Sequence, residues 1–272
     1  MTTNMQTGFI GAGNMAQAIM GGLIRTGTPA EKISIFEPNS ELADKLASSL
    51  GVRAERKNTA IFENCDVIVL AVKPQIMKAA LESAKGVRLK KGAFIVSVAA
   101  GLPISLMQGW LGKKHPMVRV MPNTPALVGA GVSGLFASKQ ASVEQKQAAE
   151  SILRAVGSVI WVDREDLIDS VTAVSGSGPA YFFYFIEALQ HAALQEGLSL
   201  EHARLLSLET AFGAAKLALE SSADASTLRE RVTSPGGTTA AALEVFEKQG
   251  VSDSIAQAVS AAAMRARELG KR

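Results

Sequence analysis

The sequence of 272 residues is poor in cysteine, histidine and aromatic residues. Its one cysteine, Cys65, excludes an intramolecular disulfide, and no cluster of metal-ligating residues stands out, so we expect no metal site. No apolar run approaches the length of about 18 residues that a membrane span requires, and no signal-peptide pattern is present. The net charge of +3 comes from scattered residues rather than a basic block. We therefore expect a cytoplasmic protein that contacts neither membrane nor nucleic acid.

A short apolar strand near the N-terminus runs into a glycine-rich turn. Residues 8–16 follow the pattern Gly-x-Gly-x-x-Ala, in which Gly11 makes the tight turn and Gly13 lets the backbone approach a pyrophosphate. A second apolar stretch, Ile33–Phe36, ends in Glu37, about 20 residues further on, where an acidic residue normally accepts hydrogen bonds from the adenosine ribose. The pattern predicts a dinucleotide-binding unit.

Apolar strands continue to alternate with helices over the first 163 residues. The later strands are predicted at Val67–Leu70, Phe94–Val98 and Val118–Met121, and a helix at Ser40–Leu50. Continuous apolar strands separated by helices indicate a mostly parallel sheet with helices on both faces, which is an α/β fold of the Rossmann type. Ligands of such sheets bind at the carboxyl ends of the strands. The loops expected to gather there lie at Gly11, Glu37, Lys73, Ala99 and Asn123.

The second half of the chain is rich in alanine and has no stretch with strand character, so it is predicted to be all helix. We place the domain boundary near Arg164, giving a dinucleotide-binding domain of residues 1–163 and a helical domain of residues 164–272. The segment Ala180–Gln195 is apolar nearly all round, and such a helix requires burial on every side. A partner subunit is therefore expected to cover it.

A second glycine-rich stretch lies near residue 235. Ser234 is a good N-cap and Pro235 suits a first helical position, so a helix is predicted to begin here. Gly236 and Gly237 would leave the backbone N–H groups bare for an anion. Two interpretations remain open at this point, a pocket for a small carboxylate and a turn that is merely rich in glycine.

Five motifs together resemble those of the pyrroline-5-carboxylate reductase family, and the resemblance covers essentially the whole chain. They are Ile10–Met15, Ala71–Pro74, Met121–Pro125, Val174–Tyr181 and Thr233–Thr239. The family reduces 1-pyrroline-5-carboxylate to L-proline with a nicotinamide dinucleotide. The resemblance implies a Rossmann domain, a helical domain that interlocks with a second subunit in a homodimer, and dimers that often assemble into decamers.

The resemblance also implies site residues. The dinucleotide contacts fall on Ile10, Gly11, Ala12, Gly13, Asn14, Met15, Glu37, Asn39, Asn58, Ala71, Val72, Lys73, Pro74, Val98, Ala99 and Ala100, to which the strand-end argument adds Asn123. The substrate contacts fall on Ser234, Gly236, Gly237, Thr238, Thr239, Thr172 and Glu165. Hydride transfer to a C=N bond needs protonation of the imine nitrogen, and the cofactor carries the difficult chemistry. We expect Thr239 to hydrogen-bond that nitrogen, with Thr239 or a water as the proton source.

The choice of cofactor stays open at this stage. NADPH is the family's usual cofactor, but the carboxylate of Glu37 would repel a 2′-phosphate, and no arginine follows within the loop. Asn39 and Ser40 could donate hydrogen bonds to the phosphate. We therefore expect NADP(H), with NAD(H) as a second candidate.

Two other functions fit the same layout. A hydroxyacid dehydrogenase or imine reductase would carry a catalytic lysine or aspartate on the first long helix of the second domain, where the segment Pro179–Gln195 offers only Glu187. A dinucleotide-sensing regulator would use the helical half to bind a partner. Turnover of pyrroline-5-carboxylate separates all three.

Overall fold

The computed structural model describes residues 5–270, which form two compact units. The first contains the described residues up to Ser177 together with those from Ala262 on, and the second is Gly178–Ala261. The compact units thus divide the chain later than the predicted boundary near Arg164. The segment after Arg164 stays with the first unit because Glu165 and Asp169 pair with an arginine of the sheet. The functional division into residues 1–163 and 164–272 remains a proposal.

The first unit is built on one eight-stranded sheet with the order β3-β2-β1-β4-β5-β6-β7-β8. All neighbours are parallel except β6 and β7. This confirms the predicted mostly parallel sheet. The strands are β1 (Thr7–Ile10), β2 (Ile33–Phe36), β3 (Arg53–Glu55), β4 (Val67–Leu70), β5 (Phe94–Ser97), β6 (Met117–Met121), β7 (Gly131–Ala137) and β8 (Gly157–Trp161).

Helices cover both faces of this sheet, which explains why a central strand such as β4 is apolar throughout. Along β1, the buried Phe9 belongs to the core on one face and the buried Ile10 to the core on the other. The helices of the first unit are α1 (Asn14–Arg25), α2 (Ser40–Leu50), α3 (Asn58–Asn64), α4 (Pro74–Glu82), α5 (Ile104–Leu111), α6 (Val143–Arg154) and α7 (Leu167–Val171). A π-helical turn, Thr172–Gly176, follows α7.

The second unit is entirely helical, as predicted. Its helices are α8 (Gly178–Gln195), α9 (Leu200–Glu220), α10 (Ala225–Arg231), α11 (Thr238–Lys248) and the first part of α12 (Val251–Leu269), which ends in the first unit. Consecutive aromatic residues on α8 are exposed in the single chain, including Phe182, Phe183 and Tyr184 at 68%, 66% and 75%. Among the described residues, no helix combines the length and apolar character needed to cross a membrane.

Candidate functional site

The glycine-rich turn after β1 is shaped by close packing on one side and open space on the other. Gly11 has φ +96°, and a Cβ there would lie 2.8 Å from Cγ1 of Val72 and 2.9 Å from the carbonyl oxygen of Ala71. Gly13 is exposed, and a Cβ there would meet no atom within 4 Å. Helix α1 begins at Asn14 with no side-chain cap and no acidic residue in its first turn. This bare helix N-terminus, with room in front of it, fits a pyrophosphate group.

Neighbouring strand ends meet at this turn. The N–H of Gly11 donates to the carbonyl of Phe36 at 2.8 Å, and the N–H of Ala71 donates to the carbonyl of Ile10 at 2.9 Å. The parallel register therefore brings the loops after β1, β2, β4 and β5 to one edge of the sheet, as expected. The loop residues predicted to contact the dinucleotide at this edge are Ile10–Met15, Glu37, Asn39, Ala71–Pro74 and Val98–Ala100.

Glu37 connects two of these loops through its carboxylate. Its Oε2 accepts a hydrogen bond from the N–H of Ala12, and its Oε1 accepts one from the N–H of Asn39, both at 3.2 Å. The side chain of Asn39 caps α2 by accepting from the N–H of Leu42 at 3.1 Å. Glu37 thus holds the glycine-rich turn in place. A contact between Glu37 and the adenosine ribose stays a prediction.

Asn58 uses its side-chain amide within the first unit. Its Nδ2 donates to the carbonyl of Ala80 at 3.1 Å and to Oγ of Ser83 at 2.6 Å. Both acceptors lie at the end of α4, so this amide connects the start of α3 to that helix. A contact between Asn58 and the dinucleotide stays a prediction.

Asn123 also bridges elements of the first unit. Its Nδ2 donates to the carbonyl of Ser175 in the π-helical turn at 3.2 Å, and its Oδ1 accepts from the N–H of Val132 on β7 at 2.9 Å. The side chain therefore fixes the π-helical turn to the sheet. A role for Asn123 in binding the dinucleotide remains a prediction.

Sequence reasoning missed a buried ion-pair group on β6. Arg119 is 3% exposed, and its Nη1 and Nη2 lie 3.4 Å from Oε1 of Glu165 and 3.0 Å from Oδ1 of Asp169. The same oxygen of Glu165 accepts from the N–H of Ile104, at the start of α5, at 2.7 Å. An arginine within the apolar strand Met117–Met121 was the available signal, since a buried charge requires partners.

The predicted substrate residues of the first unit are thus engaged internally. Besides the contacts of Glu165, the hydroxyl of Thr172 donates to the carbonyl of Ile168 at 2.8 Å. The carbonyl of Thr172 accepts from the N–H of Ser177 at 2.8 Å, which closes the π-helical turn. Substrate contacts by Thr172 and Glu165 stay predictions.

The second glycine-rich stretch forms a turn before a helix, so the predicted helix start at Ser234 is wrong. The N–H of Gly237 donates to the carbonyl of Ser234 at 3.0 Å. Pro235 and Gly236, with φ +68°, occupy the central positions, as in a type II turn. Helix α11 begins at Thr238 with Gly237 as its N-cap. The left-handed backbone of Gly236 cannot continue into a helix, which is why the helix begins later.

The start of α11 has unpaired backbone donors. The first intrahelical bond runs from the N–H of Ala241 to the carbonyl of Gly237 at 3.1 Å, and no side chain caps this end. The N–H groups of Thr238 and Thr239 precede that bond. A Cβ on Gly237 would lie 2.5 Å from Oγ and 3.1 Å from the carbonyl oxygen of Ser234, so the side chain of Ser234 would have to rotate and the turn would have little room.

Two titratable residues away from these loops, Cys65 and His115, have pKa values shifted by burial. Burial raises the pKa of the Cys65 thiol to about 12, with a smaller contribution from the carboxylates of Glu55 and Asp66, so this thiol is not a nucleophile at neutral pH. Burial and the neighbouring Lys113 lower the pKa of His115. Within residues 5–270, no three His, Cys, Asp or Glu side chains are grouped as a metal would need.

Family models match the N-terminal and the C-terminal parts of the chain. Residues 165–269 match the family model described as pyrroline-5-carboxylate reductase dimerisation, and residues 6–101 match that described as NADP oxidoreductase, coenzyme F420-dependent. The chain is 47% identical to a pyrroline-5-carboxylate reductase of Pseudomonas aeruginosa, over 97% of this chain and 96% of that protein.

Solved structures give the same result. A pyrroline-5-carboxylate reductase from Coxiella burnetii superimposes with a TM-score of 0.94 at 44% identity, over 98% of this chain and 99% of that one. The pyrroline carboxylate reductase of Plasmodium falciparum, solved with NADP bound, gives a TM-score of 0.86 at 30% identity, over 98% and 99% of the two chains. The chain therefore belongs to the pyrroline-5-carboxylate reductase family.

Proposed function

We propose that this protein reduces 1-pyrroline-5-carboxylate to L-proline with a reduced nicotinamide dinucleotide, the last step of proline biosynthesis. The observation that carries the proposal is the match to named reductases along nearly the full length of both chains. The open, glycine-rich helix start of the first unit supports an oxidoreductase that uses a dinucleotide.

We assign the cofactor as NADP(H), with NAD(H) as a second candidate. The relative from Plasmodium falciparum was solved with NADP, and one of the matched family models describes NADP oxidoreductases. In this chain, the turn from Ile10 to Met15 would hold the pyrophosphate and Glu37 would face the adenosine ribose. Loops Ala71–Pro74 and Val98–Ala100 would line the same edge, with Asn39, Asn58 and Asn123 supporting them. When bound, the reduced nicotinamide supplies the hydride.

On the substrate side, we propose that the start of α11 binds the carboxylate of the imino acid. The unpaired N–H groups of Thr238 and Thr239 and the positive end of the helix dipole favour an anion there. Ser234, Gly236 and Gly237 would shape that turn. The hydroxyl of Thr239 would donate to the ring nitrogen, so that the protein orients the ring and stabilises the protonated imine. Thr172 and Glu165 would complete the substrate contacts.

We also propose a cytoplasmic homodimer as the working form, with decamers built from dimers. The exposed aromatic residues of α8 and the match of residues 165–269 to a dimerisation model support the dimer. The proposal of a cytoplasmic location rests on the expectation from sequence. Cell fractionation and light scattering of the purified protein test the location and the size of the assembly.

The test is turnover of pyrroline-5-carboxylate, followed by the loss of nicotinamide absorbance at 340 nm and by the appearance of proline. We expect one molecule of proline to appear for each molecule of reduced nicotinamide dinucleotide that is oxidised. Nicotinamide oxidation with a 2-keto acid but not with pyrroline-5-carboxylate would favour a hydroxyacid dehydrogenase. Tight nucleotide binding with no turnover of either substrate would favour a regulator.

A further inference from the structure

Two residues of opposite charge, Glu37 and Arg56, directly follow the neighbouring strands β2 and β3. Strands β2 and β3 are parallel, with Phe36 opposite Glu55, so Glu37 and Arg56 both follow the last paired residues. Neighbouring strands lie about 4.8 Å apart, which puts the backbone of Arg56 beside that of Glu37. The chain thus has an arginine whose backbone lies beside that of Glu37, in the loop after β3 rather than in the loop after β2.

The side chain of Arg56 is held over helix α2. Its Nη2 donates to Oδ1 of Asp44 at 2.8 Å. Asp44 lies four residues after Ser40, so both are on the same face of α2, one turn apart. The guanidinium therefore lies along the helix face that leads back to the β2–α2 loop.

The ion pair between Arg56 and Asp44 can easily be replaced by a contact between Arg56 and another anion. The side chains of Arg56 and Asp44 are 64% and 53% exposed, and an exposed pair of this kind contributes little stability. A guanidinium has five N–H donors in a planar fork and binds a phosphate through two of them. A dianionic phosphate nearby would therefore compete well with the single carboxylate of Asp44.

We propose that Arg56 binds the 2′-phosphate of NADP and is the residue that lets this chain accept that cofactor despite Glu37. This inference rests on the proposed function, because it assumes a dinucleotide whose adenosine ribose lies at the end of β2. Glu37 accepts from ribose hydroxyls when the 2′-phosphate is absent, whereas Arg56 neutralises the phosphate when it is present. When no 2′-phosphate is bound, Asp44 holds the guanidinium of Arg56.

The experiment measures nucleotide binding by calorimetry, with 2′,5′-ADP and 5′-AMP as probes that do not require turnover. We expect Arg56→Gln to weaken 2′,5′-ADP about tenfold and to leave 5′-AMP within twofold of the native value. Asp44→Asn is expected to tighten 2′,5′-ADP, because it removes the competing carboxylate. The preference for 2′,5′-ADP should also decrease with ionic strength, since the contact is exposed.

The matched control is Arg53→Gln, which removes the same charge from an exposed arginine at the start of β3. Arg53 lies opposite Ser34, three residues before Arg56, or about 10 Å along the strand. We expect it to leave both affinities unchanged. An equal effect of the two arginine variants would reduce the proposal to a general effect of net charge and would overturn it.

Other results would also refute the role of Arg56. Equal losses for 2′,5′-ADP and 5′-AMP, no loss for either, or no binding of 2′,5′-ADP to the native protein would each do so. Failure of the proposed function is a separate outcome, because it shows as absent turnover of pyrroline-5-carboxylate whatever the nucleotide affinities are.

Discussion

At the scale of the residue, the carboxylate of Glu37 has two roles, and a test substitution should remove only one of them. It bears the charge that opposes a 2′-phosphate, and its two oxygens hold the N–H groups of Ala12 and Asn39. Serine at this position would remove both, because its side chain is too short to reach both donors. Glutamine removes the charge and keeps one oxygen as an acceptor.

We therefore predict that Glu37→Gln raises the ratio of kcat/KM with NADPH to kcat/KM with NADH by about tenfold, or roughly 1.4 kcal/mol. The shift reflects the loss of repulsion between the carboxylate and the 2′-phosphate. Steady-state kinetics with both cofactors measure the ratio. Glu31→Gln, at the other end of β2, is the control and should leave the ratio unchanged. An unchanged ratio in Glu37→Gln would mean that this residue does not face the ribose.

Thr239 is the second residue of α11, and its hydroxyl has no hydrogen-bond partner in the part of the chain that the structure describes. We predict that Thr239→Ala reduces kcat/KM by some tens-fold, because one transition-state hydrogen bond is worth on the order of 2 kcal/mol. The melting temperature should stay the same. Thr227→Ala, in the first turn of the neighbouring α10, should leave both quantities unchanged. Native kcat/KM in a well-folded Thr239→Ala protein would refute the assignment.

At the scale of the element, the sequence predicts regular apolar segments well and irregular ones poorly. Helix α2 has the predicted bounds, since Asn39 caps its start and Gly51 adopts φ +72° at its end. Strands β7 and β8 were missed, because Gly131 and Gly134 interrupt the apolar pattern of one and β8 is partly exposed. The predicted start of α11 was wrong because Ser234 and Pro235, which suit a helix start, form a turn with the two glycines that follow them.

In the candidate site too, local backbone structure could be predicted from the sequence and long-range side-chain contacts could not. The backbone of the glycine-rich turn could be predicted, because Gly11 and Gly13 have few other uses at that spacing. The partners of Arg119, Asn58 and Asn123 could not, because those contacts join residues far apart in sequence.

The turn before α11 allows a comparison between two glycines. We predict that Gly237→Ala raises KM for pyrroline-5-carboxylate and does not raise the melting temperature, because its Cβ would meet Oγ and the carbonyl oxygen of Ser234 at 2.5 and 3.1 Å. Gly109→Ala, on the exposed side of α5 with open space around it, should stabilise the protein by about 0.5 to 1 kcal/mol with native KM. If Gly237→Ala behaved like Gly109→Ala, the turn would have no role in binding.

At the scale of the whole molecule, the exposed aromatic residues of α8 require a partner, since a patch of this kind is rarely left in water. We predict an obligate dimer at micromolar concentration, measured by sedimentation velocity. Phe183→Glu should abolish the dimer and activity, because it places a charge on the apolar surface. Val143→Glu changes a similarly exposed residue, 64%, at the start of α6 in the first unit and should remain dimeric. An active native monomer would contradict this prediction.

The position of helix α12 determines when the first unit can complete its fold during synthesis. The first unit includes the chain from Ala262 on, with Ala263 and Ala266 buried and Leu269 packed close to Gly101. The dinucleotide unit is therefore discontinuous, and it cannot complete its fold as soon as its first segment has been synthesised, as a continuous N-terminal domain can. At about 5 to 20 residues per second, this unit must wait for roughly 5 to 20 seconds after Ser177 is added.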